Sequence, residues 1–223
     1  VLRNVINLGA EPVCAHDLQQ AMSAIYNATA SGDFFGYGRA LLSAQATNAA
    51  CKYSAVIIMQ NGTLSLKTTD GAALKLHQGD IANIPAGNIE WSAENADCVI
   101  ILLHHDNPEL TLTKLDLSHP MSEGGGPNPA LLTSAAPETT RHEFYDTDEL
   151  SWGTWRTTPY ARRPLKYTFS EIMALRSGEV TFDNPEEGSI TFSAGDIFLV
   201  RPGAVASWNN PVNLEKFWLI RTA

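Results

Sequence analysis

Positive charge, cysteine and long apolar runs are all in short supply in this chain, and each shortage removes a class of function. Lysine and arginine number 15 against 24 aspartates and glutamates, a net charge of -9, which lacks the basic footprint that a nucleic-acid partner requires. The three cysteines, Cys14, Cys51 and Cys98, are odd in number and far apart. A disulfide framework is therefore not expected; the reading is small core residues in a reducing, cytoplasmic compartment. The apolar run Val99–Leu103 is strand-sized and far short of a membrane span, and the N-terminus lacks the basic-then-apolar plan of a secretory signal. Histidines are scattered: His104 and His105 are neighbours that a strand would point to opposite faces, and His16, His77, His119 and His142 lack ligand spacing. A chain that is 44% hydrophobic and 17% charged has enough apolar surface for a sizeable core.

What the sequence does have is a copy of itself. Gly178, Val180 and Phe182, then Gly195-Asp196-Ile197, Val200, Gly203 and Trp208, repeat an earlier series spaced 116 residues upstream: Gly62, Leu64, Leu66, Gly79-Asp80-Ile81, Ile84, Gly87 and, one place off, Trp91. Self-similarity at a fixed long offset reads as a tandem duplication. The glycines supply the sharp reversals that short strands need. The apolar residues after each Gly-Asp read as a buried strand ending at the next Pro/Gly pair.

Four segments follow. Residues 1–32 form an N-terminal extension in which Asp17 caps a short helix with Leu18, Ala21, Met22 and Ile25 on its apolar side, followed by a turn at Ser31-Gly32-Asp33. Residues 33–105 carry short apolar strands separated by Asn61-Gly62, Asp70-Gly71, Gln78-Gly79 and Pro85-Ala86-Gly87, which are hairpin and turn signals. Residues 106–140 are a linker, whose run Glu123-Gly124-Gly125-Gly126-Pro127-Asn128-Pro129 marks the best boundary. Residues 141–223 repeat the strand series. The expected class is all-β, two antiparallel sandwiches or barrels with helix confined mainly to residues 17–28.

Glu171, Gly178, Gly195-Asp196 and Pro202-Gly203 resemble the two sequence motifs of the cupins. The resemblance implies a bicupin: two tandem RmlC-like jelly rolls, or double-stranded β-helix barrels. Trp155, Phe169-Ser170-Glu171, Arg201-Pro202-Gly203, Ser207-Trp208 and Glu215 to Arg221 look more narrowly like the subgroup of (S)-ureidoglycine aminohydrolase and the ethanolamine-utilisation cupins. Typical cupins hold a divalent metal through two histidines separated by one residue, a glutamate a few residues on, and a third histidine in the second motif. Of this set only Glu171 is present; the upstream positions fall near Pro164 to Tyr167 and the late one near Ala206. In the first half the glutamate position is Ala55 and the late position is Glu90. The cofactor expectation is therefore either none or a divalent metal for which Glu171 is the one usual ligand.

Strand alternation places Tyr167, Phe169, Glu171, Met173 and Leu175 on one inward face. A buried carboxylate needs a partner, so Glu171 is either catalytic or ligand-binding, with Tyr167 assisting, or held by a structural salt bridge. Arg156, Arg162, Arg163 and Lys166 concentrate positive charge before it, either for anion recognition or to protect an edge strand. Arg201 is a rim salt bridge or a ligand clamp, and Trp208 and Met173 are candidate pocket residues. The function these residues suggest is binding of a small polar or anionic metabolite in the second barrel. The alternatives are a metal-assisted hydrolase or isomerase resembling ureidoglycine aminohydrolase, and a non-catalytic structural bicupin. Exposed sheet edges suggest a homodimer or a compact pseudo-dimeric monomer.

Overall fold

The computed structural model describes residues 2, 4–10, 16–28 and 35–222; Cys14 and the expected turn at Ser31-Gly32-Asp33 lie outside the described residues. In chain order the elements are β1 (Val5–Asn7), α1 (Leu18–Ala28), β2 (Gly36–Cys51), β3 (Ala55–Thr68), β4 (Ala73–Leu76), β5 (Ile81–Ile84), β6 (Gly87–Leu102) and β7 (Thr113–Lys114). They continue with β8 (Ser122–Glu123), β9 (Thr139–Asp146), β10 (Leu150–Thr157), β11 (Tyr160–Lys166), β12 (Ser170–Ser177), β13 (Glu179–Asn184), β14 (Gly188–Ser193), β15 (Ile197–Val200), β16 (Val205–Asn210) and β17 (Leu214–Arg221). The fold is all-β apart from α1 and short 3-10 turns, and its antiparallel sheets build the jelly-roll-like cupin fold.

The chain forms two units. The first is Leu8–Asp116 and the second is Leu117–Ala223 together with Val1–Asn7. In the first, one sheet runs β2-β6-β3-β5-β7 with β4 on β3. Register shifts at Leu42–Thr47 and Met59–Thr63 bend its long strands so that one sheet wraps a core. Asp17 caps α1 by accepting from the Gln20 N–H at 2.9 Å. The helix lays Leu18, Ala21, Met22 and Ile25 into that core, as their spacing on one helical face requires. In the second unit a seven-stranded sheet, β1-β15-β12-β17-β10-β9-β8, accompanies a four-stranded one, β11-β16-β13-β14.

The 116-residue repeat is a repeat of strand pairing. Ala55 pairs with Ile84 and Ile58 with Ile81; Glu171 pairs with Val200 and Ala174 with Ile197. Toward the last strand the spacing grows by two, since Ala55 also faces Leu102 while Glu171 faces Ile220. The turns repeat as well: Asp80 accepts from the His77 N–H at 2.8 Å and Asp196 from the Ser193 N–H at 2.7 Å.

Three expectations about segments change. Asn61-Gly62 is not a hairpin turn; β3 runs straight through it, and Gly62 (φ +70°) sits at a bulge where a Cβ would come within 2.1 Å of the Asn95 carbonyl oxygen. Its counterpart Gly178 (φ +79°) would meet the Asn213 carbonyl oxygen at 2.3 Å. The N-terminal extension is divided, because β1 pairs with β15 and covers an edge of the second unit, whereas α1 belongs to the first. The residue 106–140 stretch is also shared: Thr113–Lys114 pairs with β5, and Ser122–Glu123 pairs with β9.

Gly178→Ala combines a left-handed backbone with a clash against main chain, so it is expected to cost about 3 kcal/mol. Gly195→Ala, at φ +96° with nothing within 4 Å of the new Cβ, should cost about 1 kcal/mol. Urea unfolding of the two variants checks the ordering; equal losses would remove the close-approach explanation.

Candidate functional site

The second unit holds a cavity of about 320 Å³ whose walls are aromatic: Trp155, Tyr160, Phe169, Trp208 and Trp218. Its charged lining is Glu171, Lys216, Arg162 and, with 47% of its side chain exposed, Arg141. Strand alternation explains the membership. On β10 Trp155 is buried while Arg156 is exposed, and on β11 Tyr160 and Arg162 are buried while Arg163 is exposed. A register shift between Arg162 and Leu165 turns Leu165 onto the cavity wall and leaves Lys166 outside.

Glu171, on β12, is 6% exposed. Lys216 lies on β17 opposite Leu175 and next to Trp155 of β10, so its stem extends along the barrel interior to reach the carboxylate. Nζ donates to Glu171 Oε1 at 2.7 Å and lies 3.3 Å from Met173 Sδ. The same ammonium is 5.1 Å and 5.3 Å from the ring centroids of Trp155 and Trp208, a cation-π arrangement that favours positive charge at that point. Trp208 is oriented by donating Nε1–H to Asn210 Oδ1 at 2.8 Å.

Arg162 is the second buried cation, 7% exposed. Its Nη1 donates to the Arg163 and Ala206 carbonyls, both at 3.2 Å, and Nη2 donates to the Tyr167 hydroxyl at 2.8 Å. All three acceptors are neutral, and no ion pair among the described residues includes Arg162. Burial pushes the Tyr160 and Tyr167 hydroxyls well above the ordinary phenol range; Arg162 opposes this and the Glu171 charge adds to it. Both phenols are neutral hydrogen-bonding groups at physiological pH.

The Gly/Pro run expected to separate two domains instead forms part of the cavity wall. Gly125, Pro127 and Asn128 line it, and Trp155 donates Nε1–H to the Gly125 carbonyl at 3.1 Å. Gly125 lies flat on the indole, where a Cβ would stand 3.0 Å from the ring.

Of the residues nominated from sequence, Glu171, Tyr167 and Trp208 line the cavity, and Met173 packs directly beneath the Lys216 ammonium. Arg156, Arg163, Lys166 and Arg201 do not line it. Arg156 is at the surface, donating to Glu215 Oε2 at 2.7 Å, and Arg176 pairs with the same carboxylate. Arg201 follows β15 and donates its backbone N–H to the Asn4 carbonyl. Tyr167 bonds to Arg162; the hydrogen bond of Glu171 goes to Lys216. Lys216, Arg162, Trp155 and Tyr160 complete the site. The signal for Lys216 is a basic residue immediately before the apolar run Phe217 to Ile220, which alternation turns to the same side as Trp218.

Equivalent positions in the first unit are apolar. Strand register places Ala55 where the second unit has Glu171, Cys98 where it has Lys216, and Ala40 where it has Trp155, each fully buried. Burial pushes the Cys51 thiol up to about 11. Glu90 is exposed between the buried Ile89 and Trp91, 4.0 Å from Lys67. It does not enter that interior.

The residues present do not fit a divalent metal. Among the described residues no three His, Cys, Asp or Glu side chains cluster, and the lone carboxylate in the cavity is paired with Lys216 and shares the lining with Arg162 and Arg141. Hard or borderline divalent ions need several oxygen or imidazole donors, and ammonium and guanidinium groups have none to offer.

Lys216→Met should leave Glu171 as a buried charge without its cation and cost about 3–5 kcal/mol, while the double variant Glu171→Leu/Lys216→Met should recover most of that loss; denaturant midpoints would show it. Because the folded-state phenol pKa values are raised, the folded protein retains protons that the unfolded chain releases above about pH 10. Stability is therefore full below about pH 10 and falls as pH rises beyond it. Tyr167→Phe should flatten that alkaline decline, and an unchanged slope would show that Tyr167 does not contribute.

Residues 145–218 match the EutQ-like cupin domain model. No curated protein sequence matches the chain significantly. Among solved structures, a DUF861-family protein of unknown function from Pseudomonas syringae pv. tomato superposes with a TM-score of 0.79 at 20% identity, covering 97% of this chain and 99% of its own. A cupin 2 conserved barrel domain protein from Leptotrichia buccalis gives 0.60 at 11% identity over 100% and 98%. Oxalate decarboxylase from Bacillus subtilis, which has Mn(II) centres, gives 0.50 at 11% identity over 100% and 78%. At these identities the likeness is one of fold: this is a protein of cupin fold whose second unit matches the EutQ-like cupin domain.

Proposed function

We propose that the second unit binds a small organic monoanion, with its carboxylate on Arg162 and its carbon skeleton against the indole and phenol faces. The observation that carries this is the buried Arg162 guanidinium bonded only to neutral acceptors. Inside the cavity Lys216 pairs with Glu171, and the half-exposed Arg141 pairs with Glu143 at 3.1 Å, which leaves the Arg162 charge without a counterion. A buried charge costs several kcal/mol unless it is paired, and a ligand carboxylate supplies the pair in the forked geometry that guanidinium favours. The volume lies at the lower end of the range for small-molecule sites.

Two other readings are weaker. A metal-assisted hydrolase or isomerase resembling the ureidoglycine aminohydrolase group needs donors that the cavity lacks. A purely structural bicupin would not need two buried cations and an open aromatic cavity in one unit where the other is filled by Ala55, Cys98 and Ala40. Sheet edges at β2 and β14 keep a homodimer as the proposed assembly, which light scattering tests.

Calorimetry with acetate, propionate, pyruvate and benzoate tests the site. At least one should bind, and Arg162→Gln should weaken it about 10–100-fold, the loss of one charged hydrogen-bonding anchor. Arg156→Gln should leave binding unchanged. If no carboxylate binds, or if Arg162→Gln binds as well as the parent, the anion reading fails; stoichiometric manganese, iron, nickel or zinc in the purified protein would favour the metal reading instead.

A further inference from the structure

Lys216 is a primary amine on the wall of a cavity read as a carboxylate site, and it differs from the other five lysines in burial, in lining the cavity and in its contact with a buried carboxylate. Lys52, Lys67, Lys75, Lys114 and Lys166 are exposed, whereas Lys216 is 8% exposed, lines the cavity and has its nitrogen fixed 2.7 Å from a carboxylate oxygen. An amine reacts with a carbonyl carbon only after losing a proton, so a base in direct contact is the first requirement. Glu171 meets it. Among the described residues the carboxylate has no second donor, so its remaining oxygen is open to a substrate.

We propose that Lys216 condenses with the carbonyl group of a small oxo acid, such as a 2-oxo acid or an aldehyde carboxylate, to form an imine within the second unit. The proposal rests on the carboxylate reading given above, because Arg162 is what would orient the oxo acid. Lys216 Nζ first passes a proton to Glu171 along the 2.7 Å hydrogen bond. The nitrogen lone pair then forms the C–N bond while the carbonyl π electrons move to oxygen, which takes the proton back from Glu171. Glu171 next removes a second proton from nitrogen and delivers it to the departing hydroxyl. The C–O bond breaks, water leaves and the nitrogen lone pair forms the C=N bond. In sum the ammonium has given two protons to the carbonyl oxygen, Glu171 is again a carboxylate, and the positive charge remains on nitrogen as an iminium. No oxidant or reductant is consumed.

The surroundings suit both ends of this sequence. Trp155 and Trp208 face the nitrogen at 5.1 Å and 5.3 Å, and their π faces stabilise an iminium as they do an ammonium. Met173, beneath the nitrogen, is a soft contact that has no proton to offer.

The test is reductive trapping on the full chain with glyoxylate or pyruvate and cyanoborohydride, followed by peptide mass mapping. The expected result is a reduced adduct on the peptide containing Lys216, formed ahead of any on the exposed lysines and slowed by propionate, which has the carboxylate without the carbonyl. Lys216→Arg keeps a cation beside Glu171 and should lose that adduct; Glu171→Gln should slow its formation. Modification confined to the exposed lysines of the parent protein overturns the imine, and because it is read from the parent it does not depend on any variant folding. If a carboxylate binds by calorimetry while Lys216 is untouched, the imine falls and the anion site stands; if none of acetate, propionate, benzoate, glyoxylate and pyruvate binds, both fall.

Discussion

Backbone passes backbone so closely beside Gly62 and Gly178 that no side chain fits between them, and the layout of both units depends on that approach. At Gly62 the strand β3 continues through a residue in the left-handed region, and at Gly178 such a residue joins β12 to β13; in both cases a facing carbonyl oxygen, of Asn95 or Asn213, occupies the space of a Cβ. On one side of the bulge the strand belongs to the barrel centre, pairing Ala55 with Ile84 or Glu171 with Val200; on the other it joins the outer hairpin with β4 or β14. Because side chains alternate with a period of two, fixing the bulge fixes which residues face inward for the whole strand. The interior positions are thus set by main-chain geometry before any side chain is chosen.

That frame is filled in two ways. In the first unit the central positions are Ala55, Cys98 and Ala40, packed among Ile57, Ile100 and Leu102 with little or no exposure. In the second the same positions carry Glu171, Lys216 and Trp155. An ion pair there is not a route to stability, since desolvating both partners offsets much of their attraction and an apolar pair of similar volume often does as well. The first unit shows that the frame accepts such an interior. Charge in the second is therefore better explained by what the cavity must hold than by what the barrel needs in order to fold.

The fold was legible because it depends on features that sequence displays directly. Glycines at a fixed offset, Gly-Asp turns and strand-length apolar runs are local, and the helix followed from Asp17 and four apolar residues on one face. Asn61-Gly62 was misleading because the left-handed backbone that favours a tight turn also suits a bulge inside a continuous strand, and only the facing Asn95 carbonyl distinguishes the two. The site was legible in half. Glu171, Tyr167 and Trp208 stand out by motif and alternation, but pairing across β12, β17 and β10 is a long-range property. Without it, Lys216 reads as one more charge in a chain of 223 residues, and Arg162 cannot be told from Arg156 and Arg163.

The lack of metal-ligand donors around Glu171 and the buried lysine beside it answer one electrostatic requirement. A glutamate directed into a barrel calls for a cation, and a divalent metal can be kept there only by further neutral or anionic donors. Where those donors are absent, a side-chain ammonium meets the same electrostatic need with a single residue, and the indoles of Trp155 and Trp208 complete its coordination in place of histidine nitrogens. The choice of cation sets the chemistry a cavity can support. A metal polarises an oxygen without sharing a proton, whereas an ammonium bonded to a carboxylate can lose a proton and become a nucleophile. With Arg162 bonded only to neutral acceptors, the second unit places a guanidinium, an amine and a carboxylate on one cavity wall, and the apolar interior of the first unit offers none of the three.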